Sequence, residues 1–437
     1  MRIIREKLLT GIVVIALIAS FSTGFLFVRG ISTNVNGSSF SAPNLSAQDT
    51  FWPGNSSEWT EVAPETQGLN SSNIAEMFEF INSTKYDIHS IIIVRNGYLL
   101  TYDYLENSQI YRNMTGEKEY FFGGLLHFQA STTKSLMSIL VGIALQEGFL
   151  DNVNQTLYEF FADIWNSTFT HSEQKKSITI EQLLTMTSGL SEEGPGYPSG
   201  AEIKIANDSI KFALDEVPLV FTPGQEGAWE YSNDGPTLLS GIISNVTGNS
   251  AEEFAREYLF EPLGILEEEY FWYHDNKSVS NGGYGFVCSP KVQAKLGMLC
   301  LNDGNWNGIQ IADKDFMKDA TTRQTTTDLT MGYGYLFYID AAPEEAYFTY
   351  GSGGQSIYVI PKYNMVVGFT GFDLWLEYNT LLANYILKDV VESPVNQTPE
   401  DPIIPGFDLN LIFLVVFCAS VVLVIRRKRL ISIKIIR

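Results

Sequence analysis

One strongly apolar segment constrains the fold of this chain more than any other stretch. It predicts a helix with one buried face, because apolar residues recur at spacings of three and four, at Leu136, Ile139, Leu140 and Ile143. Ser131 stands at the predicted start of this helix, where free backbone N–H groups point outward. Lys134 follows three positions later, so one helical turn brings its amine beside the Ser131 hydroxyl.

This Ser-x-x-Lys pair has the composition of a nucleophile and its base. A serine is a weak nucleophile until a neighbouring group takes its proton. A lysine enclosed by apolar neighbours can lose its own proton and then accept that one. The spacing alone also fits an N-cap serine followed by a surface lysine. A second copy, from Ser172 to Lys175, lies in a polar run without apolar periodicity, and we predict a solvated loop there.

The composition argues against several classes of function. A net charge of −22 over 437 residues disfavours a nucleic-acid partner, because phosphate backbones are bound by basic surfaces. We interpret the charge as an acidic, solubilising surface. The four histidines are scattered, and the cysteines Cys288 and Cys300 could pair but resemble neither a disulfide framework nor a zinc site. We therefore expect no metal and no organic cofactor.

The N-terminal end of the chain is predicted to meet the membrane. Residues 1–30 begin with basic residues and continue as an apolar run, which fits a cleaved signal peptide or an uncleaved signal anchor. Both alternatives place the following residues outside the cytoplasm, because positively charged flanks stay inside. Residues 31–62 are rich in Ser, Asn, Gly and Pro and predict a linker.

The C-terminal end mirrors this arrangement. Residues 391–406 form a Pro-rich, acidic linker, and residues 407–425 are apolar. The basic cluster Arg426–Arg429 follows at once, so we predict a transmembrane helix and a cytoplasmic tail over residues 426–437. The same tail, from Pro405-Gly406-Phe407 onward, also resembles a tripartite prokaryotic sorting signal, whose removal would leave the protein attached to lipid.

One domain is predicted between these ends, over residues 63–390. Ile88–Val94, Asn96-Gly97 and Tyr98–Tyr104 predict a β-hairpin with a two-residue turn. Helical patterns fill the middle of the chain. Further strand-like runs come late, at Tyr333–Ile339, Tyr347–Tyr350, Gln355–Ile360 and Met365–Phe369. Strands at both ends with helices between them favour an α+β fold, with an antiparallel sheet built from both ends and a helical insertion.

Five motifs occur in one order along this domain. They are Ala130-Ser131-Thr132-Thr133-Lys134-Ser135, Thr179 to Leu190, Pro223-Gly224 with Tyr231-Ser232-Asn233, Pro262-Leu263-Gly264, and Gly351 to Gln355. Together they resemble the serine β-lactamase-related family, in its class C β-lactamase, esterase and 6-aminohexanoate-dimer hydrolase branch. The resemblance implies a β-lactamase/penicillin-binding-protein (transpeptidase)-like fold, in which helices flank an antiparallel sheet and the site lies beside an all-helical subdomain.

The resemblance also implies catalytic roles. Ser131 would be the acylated nucleophile and Lys134 its proton acceptor, while Tyr231 would be the second acid/base. That role suits a tyrosine, because an adjacent ammonium favours phenolate. Asn233 stands two residues further along an extended segment, so it would face the same way and bind Lys134 or the substrate.

The last motif departs from the family pattern. The family usually has Lys or His, a small residue and Gly on a strand edge, whereas this chain has Ser352, Gly353 and Gly354. By resemblance, the N–H groups of Ser131 and Gln355 would hold the oxyanion. The glycines could let substrate lie against the strand or could form a plain turn. Without the basic residue a substrate carboxylate loses its partner, which favours a neutral ester or amide over a β-lactam or a peptide C-terminus.

These observations predict a membrane-tethered serine hydrolase whose catalytic domain is extracytoplasmic. Its substrate would be a small-molecule ester, an amide or a short peptide. Two alternatives remain open: a β-lactamase or D-alanyl-D-alanine carboxypeptidase, and a catalytically inactive surface binding module.

Overall fold

The computed structural model describes residues 50–54, 59–84, 86–104, 126–191, 207–339, 342–371 and 376–391. The predicted signal segment, the C-terminal apolar segment and the basic tail lie outside these ranges, as do most of both linkers. No helix within the described ranges is long and apolar enough to cross a membrane.

The strands of the described residues assemble into one large sheet and two small ones. In chain order they are β1 (Ile88–Arg95), β2 (Tyr98–Tyr104), β3 (His127–Phe128), β4 (Tyr270–Trp272), β5 (Phe286–Cys288), β6 (Asn305–Trp306), β7 (Ile309–Gln310), β8 (Thr325–Thr326), β9 (Gly332–Tyr333), β10 (Tyr338–Ile339), β11 (Tyr347–Gly351), β12 (Gln355–Ile360) and β13 (Met365–Gly371). The large sheet is antiparallel, in the order β2-β1-β13-β12-β11-β10-β9-β8. The small sheets are β3-β5-β4 and β6-β7.

Most helices lie in the middle of the chain, as predicted. They are α1 (Ser71–Thr84), α2 (Thr133–Gln146), α3 (Leu157–Phe161), α4 (Ser172–Lys176), α5 (Ile180–Leu184), α6 (Ser209–Asp215), α7 (Asp234–Thr247), α8 (Ala251–Ala255), α9 (Pro290–Leu301), α10 (Lys314–Ala320) and α11 (Leu376–Leu381). The α+β fold with its antiparallel sheet is therefore confirmed.

The predicted β1–β2 hairpin is present and organises the sheet. It turns at Asn96 and Gly97, whose φ angles are 50° and 80°, as a two-residue hairpin turn requires. β1 also pairs with β13, so strands from the two ends of the domain lie side by side in the sheet. Successive side chains of β1 point to opposite faces. Ile91 therefore belongs to the core cluster that includes residues of α1 and α11, while Ile92 belongs to the cluster that includes residues of α2, α7 and α9.

Helix α2 is more deeply buried than its periodicity predicted. Every residue from Thr133 to Ala144 is buried, because the helix contacts α7 and α10 as well as the core beneath the sheet. The prediction of one buried face is therefore wrong, and α2 is a central helix of the domain.

One local prediction in the C-terminal half is wrong, and the open question of whether two cysteines pair is answered. Tyr333–Ile339 is not one strand, because Leu336 adopts a left-handed backbone (φ 63°) and Gly334 N–H donates to the Phe337 carbonyl, which folds the run into the β9–β10 turn. Cys288 and Cys300 do not pair; both are free and buried. Burial raises the pKa of the Cys300 thiol to about 12, so that thiol stays protonated.

The folded domain begins before the predicted boundary at residue 63. Trp59 is buried, and its Nε1–H donates to the Gly97 carbonyl at 2.7 Å. Phe51 N–H donates to the Asn96 carbonyl at 2.8 Å, and the Phe51 ring stacks on Tyr98. The last part of the predicted linker therefore packs on the β1–β2 turn.

The other end of the described chain is fixed at the same end of the sheet. Val391 N–H donates to the Gly68 carbonyl at 3.1 Å, and the Val391 carbonyl accepts from Arg95 Nη2 at 2.7 Å. Arg95 stands at the end of β1, opposite Met365. The far end of β13, at Gly371, lies about 20 Å away, given the rise of an extended strand.

We expect Arg95→Met to lower the free energy of unfolding by about 3 kcal/mol, because the buried guanidinium donates to three carbonyls that would lose their donor. The acceptors are Tyr363 O (2.9 Å), Gln67 O (2.8 Å) and Val391 O (2.7 Å). Denaturant unfolding followed by tryptophan fluorescence measures the change. Lys388→Met is the control, since this half-exposed lysine should shift the value by less than about 0.5 kcal/mol. Equal stabilities for the two variants would contradict the assignment.

Candidate active site

Ser131 lies in a tight turn that leads into α2. The turn is a 3-10 segment, Ala130–Thr132, and α2 begins at Thr133, so Ser131 stands just ahead of the helix. Ser131 is half-buried, whereas Ala130 and Thr132 on either side are buried. The hydroxyl is thus held by a buried segment and remains accessible.

Lys134 reaches the Ser131 hydroxyl from the first turn of α2. Its Nζ donates to Ser131 Oγ at 3.1 Å, to Asn233 Oδ1 at 2.5 Å and to the Gly283 carbonyl at 2.6 Å. The residue is only 2% exposed, so these acceptors replace solvent around the amine. The three acceptors come from three separate segments and fix the direction in which the amine points.

Tyr231 is the second residue that contacts the Ser131 hydroxyl. Its OH donates to Ser131 Oγ at 2.6 Å, and Lys134 Nζ lies 4.6 Å from the centre of the Tyr231 ring. The structure therefore brings together Ser131, Lys134, Tyr231 and Asn233, as the sequence predicted. Asn233 does not belong to an extended strand; it has helical φ and ψ angles and is the N-cap of α7.

The rings of Trp229 and Tyr333 form an aromatic cluster with Tyr231. The Trp229 ring lies 6.2 Å from Tyr231 and packs edge-on against Tyr333 at 5.5 Å. Burial raises the pKa of Tyr333 well above its ordinary value, and the neighbouring phenols of Tyr338 and Tyr231 raise it further. Tyr333 therefore stays neutral, and its role beside Tyr231 is packing.

Gly283 is a residue of the candidate site that the sequence reasoning missed, since its carbonyl accepts from Lys134 Nζ. It belongs to the run Asn281-Gly282-Gly283-Tyr284-Gly285, in which the Asn281 side chain accepts from the N–H groups of Gly283 and Tyr284. This turn presents the Gly283 carbonyl to Lys134. A Cβ atom on Gly283 would lie 2.9 Å from both the Cβ and the carbonyl oxygen of Asn233. Three glycines within four residues were the available signal.

The Ser352–Gly354 segment forms the turn between β11 and β12. Gly353 and Gly354 have φ angles of 82° and 87°, which glycine adopts without strain, and Gly354 N–H donates to the Gly351 carbonyl. The positive φ angles that this turn requires explain why both positions are glycine. Ser352 is exposed at its tip, so no positive charge stands at this position.

Gln355 is the first residue of β12 and lies beside the turn that carries Ser131. It is buried, and its Nε2 donates to the Gly371 carbonyl at 2.6 Å. Gly351, its partner in β11, packs so closely that a Cβ there would lie 2.3 Å from the Gln129 carbonyl and 3.2 Å from Ala130 Cβ. The end of the sheet that carries Gln355 therefore lies against the turn that carries Ser131.

The second Ser-x-x-Lys pair has no nucleophile arrangement, and the predicted solvated loop there is wrong. Ser172 and Lys175 lie in the short helix α4 and are both buried. Lys175 Nζ donates to the carbonyls of Ala213 and Leu214 at the C-terminal end of α6, where a cation is favoured. Burial lowers the pKa of Lys175 to about 8. This lysine stabilises a helix end.

Within the described ranges, no group of three or more His, Cys, Asp or Glu side chains is arranged to hold a metal ion. Ser131, Lys134, Tyr231 and Asn233 bring a hydroxyl, an amine, a phenol and an amide together.

The chain matches one protein family and several solved structures. The family model described as Beta-lactamase matches residues 123–370. Penicillin-binding protein 4* of Bacillus subtilis (strain 168) is 24% identical over 339 residues, which cover 72% of this chain and 69% of that protein. The matches to the first two curated relatives, both from Bacillus subtilis, span about two thirds of their length, 66% and 69%.

Two solved structures show the same fold at low sequence identity. A family VIII carboxylesterase has a TM-score of 0.57 and 15% identity, with 75% of this chain and 98% of that chain covered. The octameric penicillin-binding protein homologue from Pyrococcus abyssi has a TM-score of 0.54 and 20% identity, with 72% and 76% covered. At these identities the similarity establishes the fold of the chain.

We expect Gly283→Ala to lower kcat/KM for a nitrophenyl ester by about a hundredfold, because the new methyl group would displace Asn233 and with it the amine of Lys134. The measurement is steady-state hydrolysis by the full-length protein, together with its thermal unfolding midpoint. Gly235→Ala is the matched control, since its Cβ would find only ordinary contacts at 3.7 Å or more. Activity at the wild-type level in Gly283→Ala would show that the Gly283–Asn233 contact does not position the amine.

Proposed function

Because the chain belongs to the Beta-lactamase family, we propose that it is a serine hydrolase that cleaves an ester or amide through an acyl-enzyme on Ser131. One observation carries the proposal. Ser131 Oγ is within hydrogen-bonding distance of both Lys134 Nζ and Tyr231 OH, at 3.1 Å and 2.6 Å. These residues come from two distant parts of the chain, and an activated serine requires such neighbours.

Lys134 is the proton acceptor for acylation. An amine has three positions besides its carbon, and Asn233 Oδ1 and the Gly283 carbonyl each take one N–H. Ser131 Oγ lies 3.1 Å from the same nitrogen, within reach of its lone pair when the amine is neutral. The amine accepts the hydroxyl proton as Oγ attacks the substrate carbonyl, and the resulting ammonium keeps all three contacts.

Tyr231 serves the other half of the reaction. Its OH reaches Ser131 Oγ, which becomes the bridging oxygen of the acyl-enzyme, so the phenol stands where a leaving group departs and where water must enter. In this role it passes a proton to the leaving group and then takes one from the attacking water. The nearby ammonium of Lys134 favours the phenolate form during the cycle.

The substrate is proposed to be a neutral ester or amide. Ser352 and the two glycines offer hydroxyl and backbone groups but no charge at the position where the family usually carries Lys or His. A substrate carboxylate would lack that partner, which disfavours the alternative of a β-lactamase or D-alanyl-D-alanine carboxypeptidase. The alternative of an inactive binding module is disfavoured by the contacts among Ser131, Lys134 and Tyr231.

We further propose that the domain is tethered outside the cytoplasm by the apolar segments at both ends. Support comes from the segments 8–28 and 407–425 with their basic flanks. The described chain also enters and leaves the domain at the β1–β2 turn, near Phe51 and Val391. Gln355 is bonded to Gly371 at the opposite end of the sheet.

Membrane attachment predicts that the full-length chain stays with the membrane fraction after an alkaline carbonate wash. Protease added to intact cells should then degrade the catalytic domain. A variant that lacks residues 1–30 is the control, since it should remain inside the cell and be protected. Recovery of the full-length chain from the soluble cell interior would refute the tether without bearing on catalysis.

The hydrolase proposal predicts that a fluorophosphonate probe labels the full-length protein and that Ser131→Ala abolishes the labelling, because the probe phosphonylates an activated serine hydroxyl. Short-chain nitrophenyl esters should turn over, whereas a chromogenic cephalosporin should turn over far more slowly. Labelling is measured on a gel and turnover by absorbance. Ser172→Ala is the matched control, because it alters the other Ser-x-x-Lys pair and should label as the wild type does.

Ser352→Lys tests the proposed substrate charge. Because a charge-assisted hydrogen bond contributes about 1.5 kcal/mol or more, cephalosporin turnover in this variant should rise about tenfold. Rapid cephalosporin hydrolysis by the wild type would favour the β-lactamase alternative. A folded wild-type protein with neither labelling nor turnover would favour the binding module.

A further inference from the structure

The turn that carries the nucleophile has a backbone conformation that needs support. Ala130, directly before Ser131, has a φ of 47°, which an L-residue rarely adopts outside a tightly held turn. A change at this residue would move Ser131 Oγ relative to the amine and the phenol. The groups that hold the turn therefore affect catalysis even when they do not touch the substrate.

Strand β5 supports the backbone of the turn. Gln129 N–H donates to the Phe286 carbonyl at 2.8 Å, and Phe286 N–H donates to Thr133 Oγ1 at 3.1 Å. Thr133 Oγ1 in turn donates to the Ala130 carbonyl at 2.7 Å. These hydrogen bonds hold the residues on both sides of Ser131. They involve the backbone of Gln129 but not its side chain.

That side chain belongs to a directed chain of hydrogen bonds behind the turn. Gln129 Nε2 donates to the His127 carbonyl at 2.9 Å, which can only accept, so Gln129 Oε1 faces away from it. Gln293 Nε2, from helix α9, donates to this Oε1 at 2.6 Å. Thr132 Oγ1 donates to the backbone carbonyl of Gln129 at 3.0 Å. Gln129 is thus held through both its side chain and its backbone.

The buried Gln129–Gln293 pair is less favourable for the free energy of folding than an apolar pair would be. Gln293 is fully buried, and its Oε1 has no hydrogen-bond partner among the described residues. It lies over Gly368, where a Cβ would be 3.3 Å away. A buried amide oxygen without a partner is costly, whereas an apolar pair of the same size would be tolerated. Departures of this kind are expected where function requires them.

We propose that Gln129 and Gln293 are positioning residues that fix the Ser131 turn for acylation. The inference rests on the proposed serine-hydrolase function, because it concerns the rate at which Ser131 reacts. Neither side chain needs to contact the substrate. The pair acts by keeping Ser131 Oγ within reach of Lys134 and Tyr231.

The test is a double-mutant cycle in the full-length protein, with Gln129→Met, Gln293→Met and the double variant. We expect each to slow fluorophosphonate labelling and kcat for nitrophenyl acetate by about tenfold or more, with KM unchanged. The single variants should unfold at lower temperature, because each breaks the 2.6 Å hydrogen bond between the two buried amides and leaves the surviving amide with one partner fewer. The double variant should regain the wild-type midpoint but not the rate. Cys300→Ala is the control: it is a truncation on the same helix that should lower the midpoint and leave labelling unchanged.

The outcomes separate this inference from the proposed function. Wild-type protein that is never labelled would overturn both. A labelled wild type with a double variant that recovers rate and stability together would overturn this inference alone, because the pair would then be only structural. If the Met variants fail to fold, Thr132→Val keeps the shape of the turn and removes the hydrogen bonds of Thr132 Oγ1 to the Gln129 carbonyl and to Gln129 Oε1. A wild-type labelling rate in Thr132→Val would then overturn the inference.

Discussion

The buried amine of Lys134 is the contact on which the rest of the site depends. A lysine that is 2% exposed must exchange its hydration for protein acceptors, and here three separate segments provide them: the nucleophile turn, the start of α7 and the turn at Gly283. Each acceptor limits where the others can lie. The large sheet, the β3-β5-β4 sheet and helix α2 therefore act as the scaffold that brings these three segments to Lys134 Nζ.

The connectivity of the fold brings these segments together. Strands from both ends of the domain meet at β1 and β13, which leaves the helical middle free to cover one face of the sheet. Helix α2 then lies inside that layer and not on its surface, which is why its residues are buried on every side. Ser131, the proposed nucleophile, stands just ahead of this helix, and the close packing of the core around the helix keeps its position fixed.

Local patterns predicted what depends on local structure. The hairpin at Asn96-Gly97, the long helices and the ordered motifs that name Ser131, Lys134 and Tyr231 all have signals within a few residues, and the structure contains them. The sequence did not reveal the carbonyl of Gly283, because a backbone acceptor leaves no side-chain signature. It also did not reveal the Gln129–Gln293 pair, whose members are separated by 164 residues and carry no periodicity. The break at Leu336 depends on a bond to Leu184, which strand propensity does not record.

The two Ser-x-x-Lys pairs show why spacing alone could not identify the site. Both lysines are buried and both donate to backbone carbonyls, and burial brings the pKa of Lys175 to about 8 without any catalytic arrangement. Ser172 accepts from the Trp165 indole and donates to the Asn166 carbonyl, so its hydroxyl is engaged in structure. Ser131 instead accepts from an amine and a phenol, and it is partly open to solvent. What distinguishes the proposed nucleophile from the structural serine is the third residue, Tyr231, which comes from a segment 100 positions away.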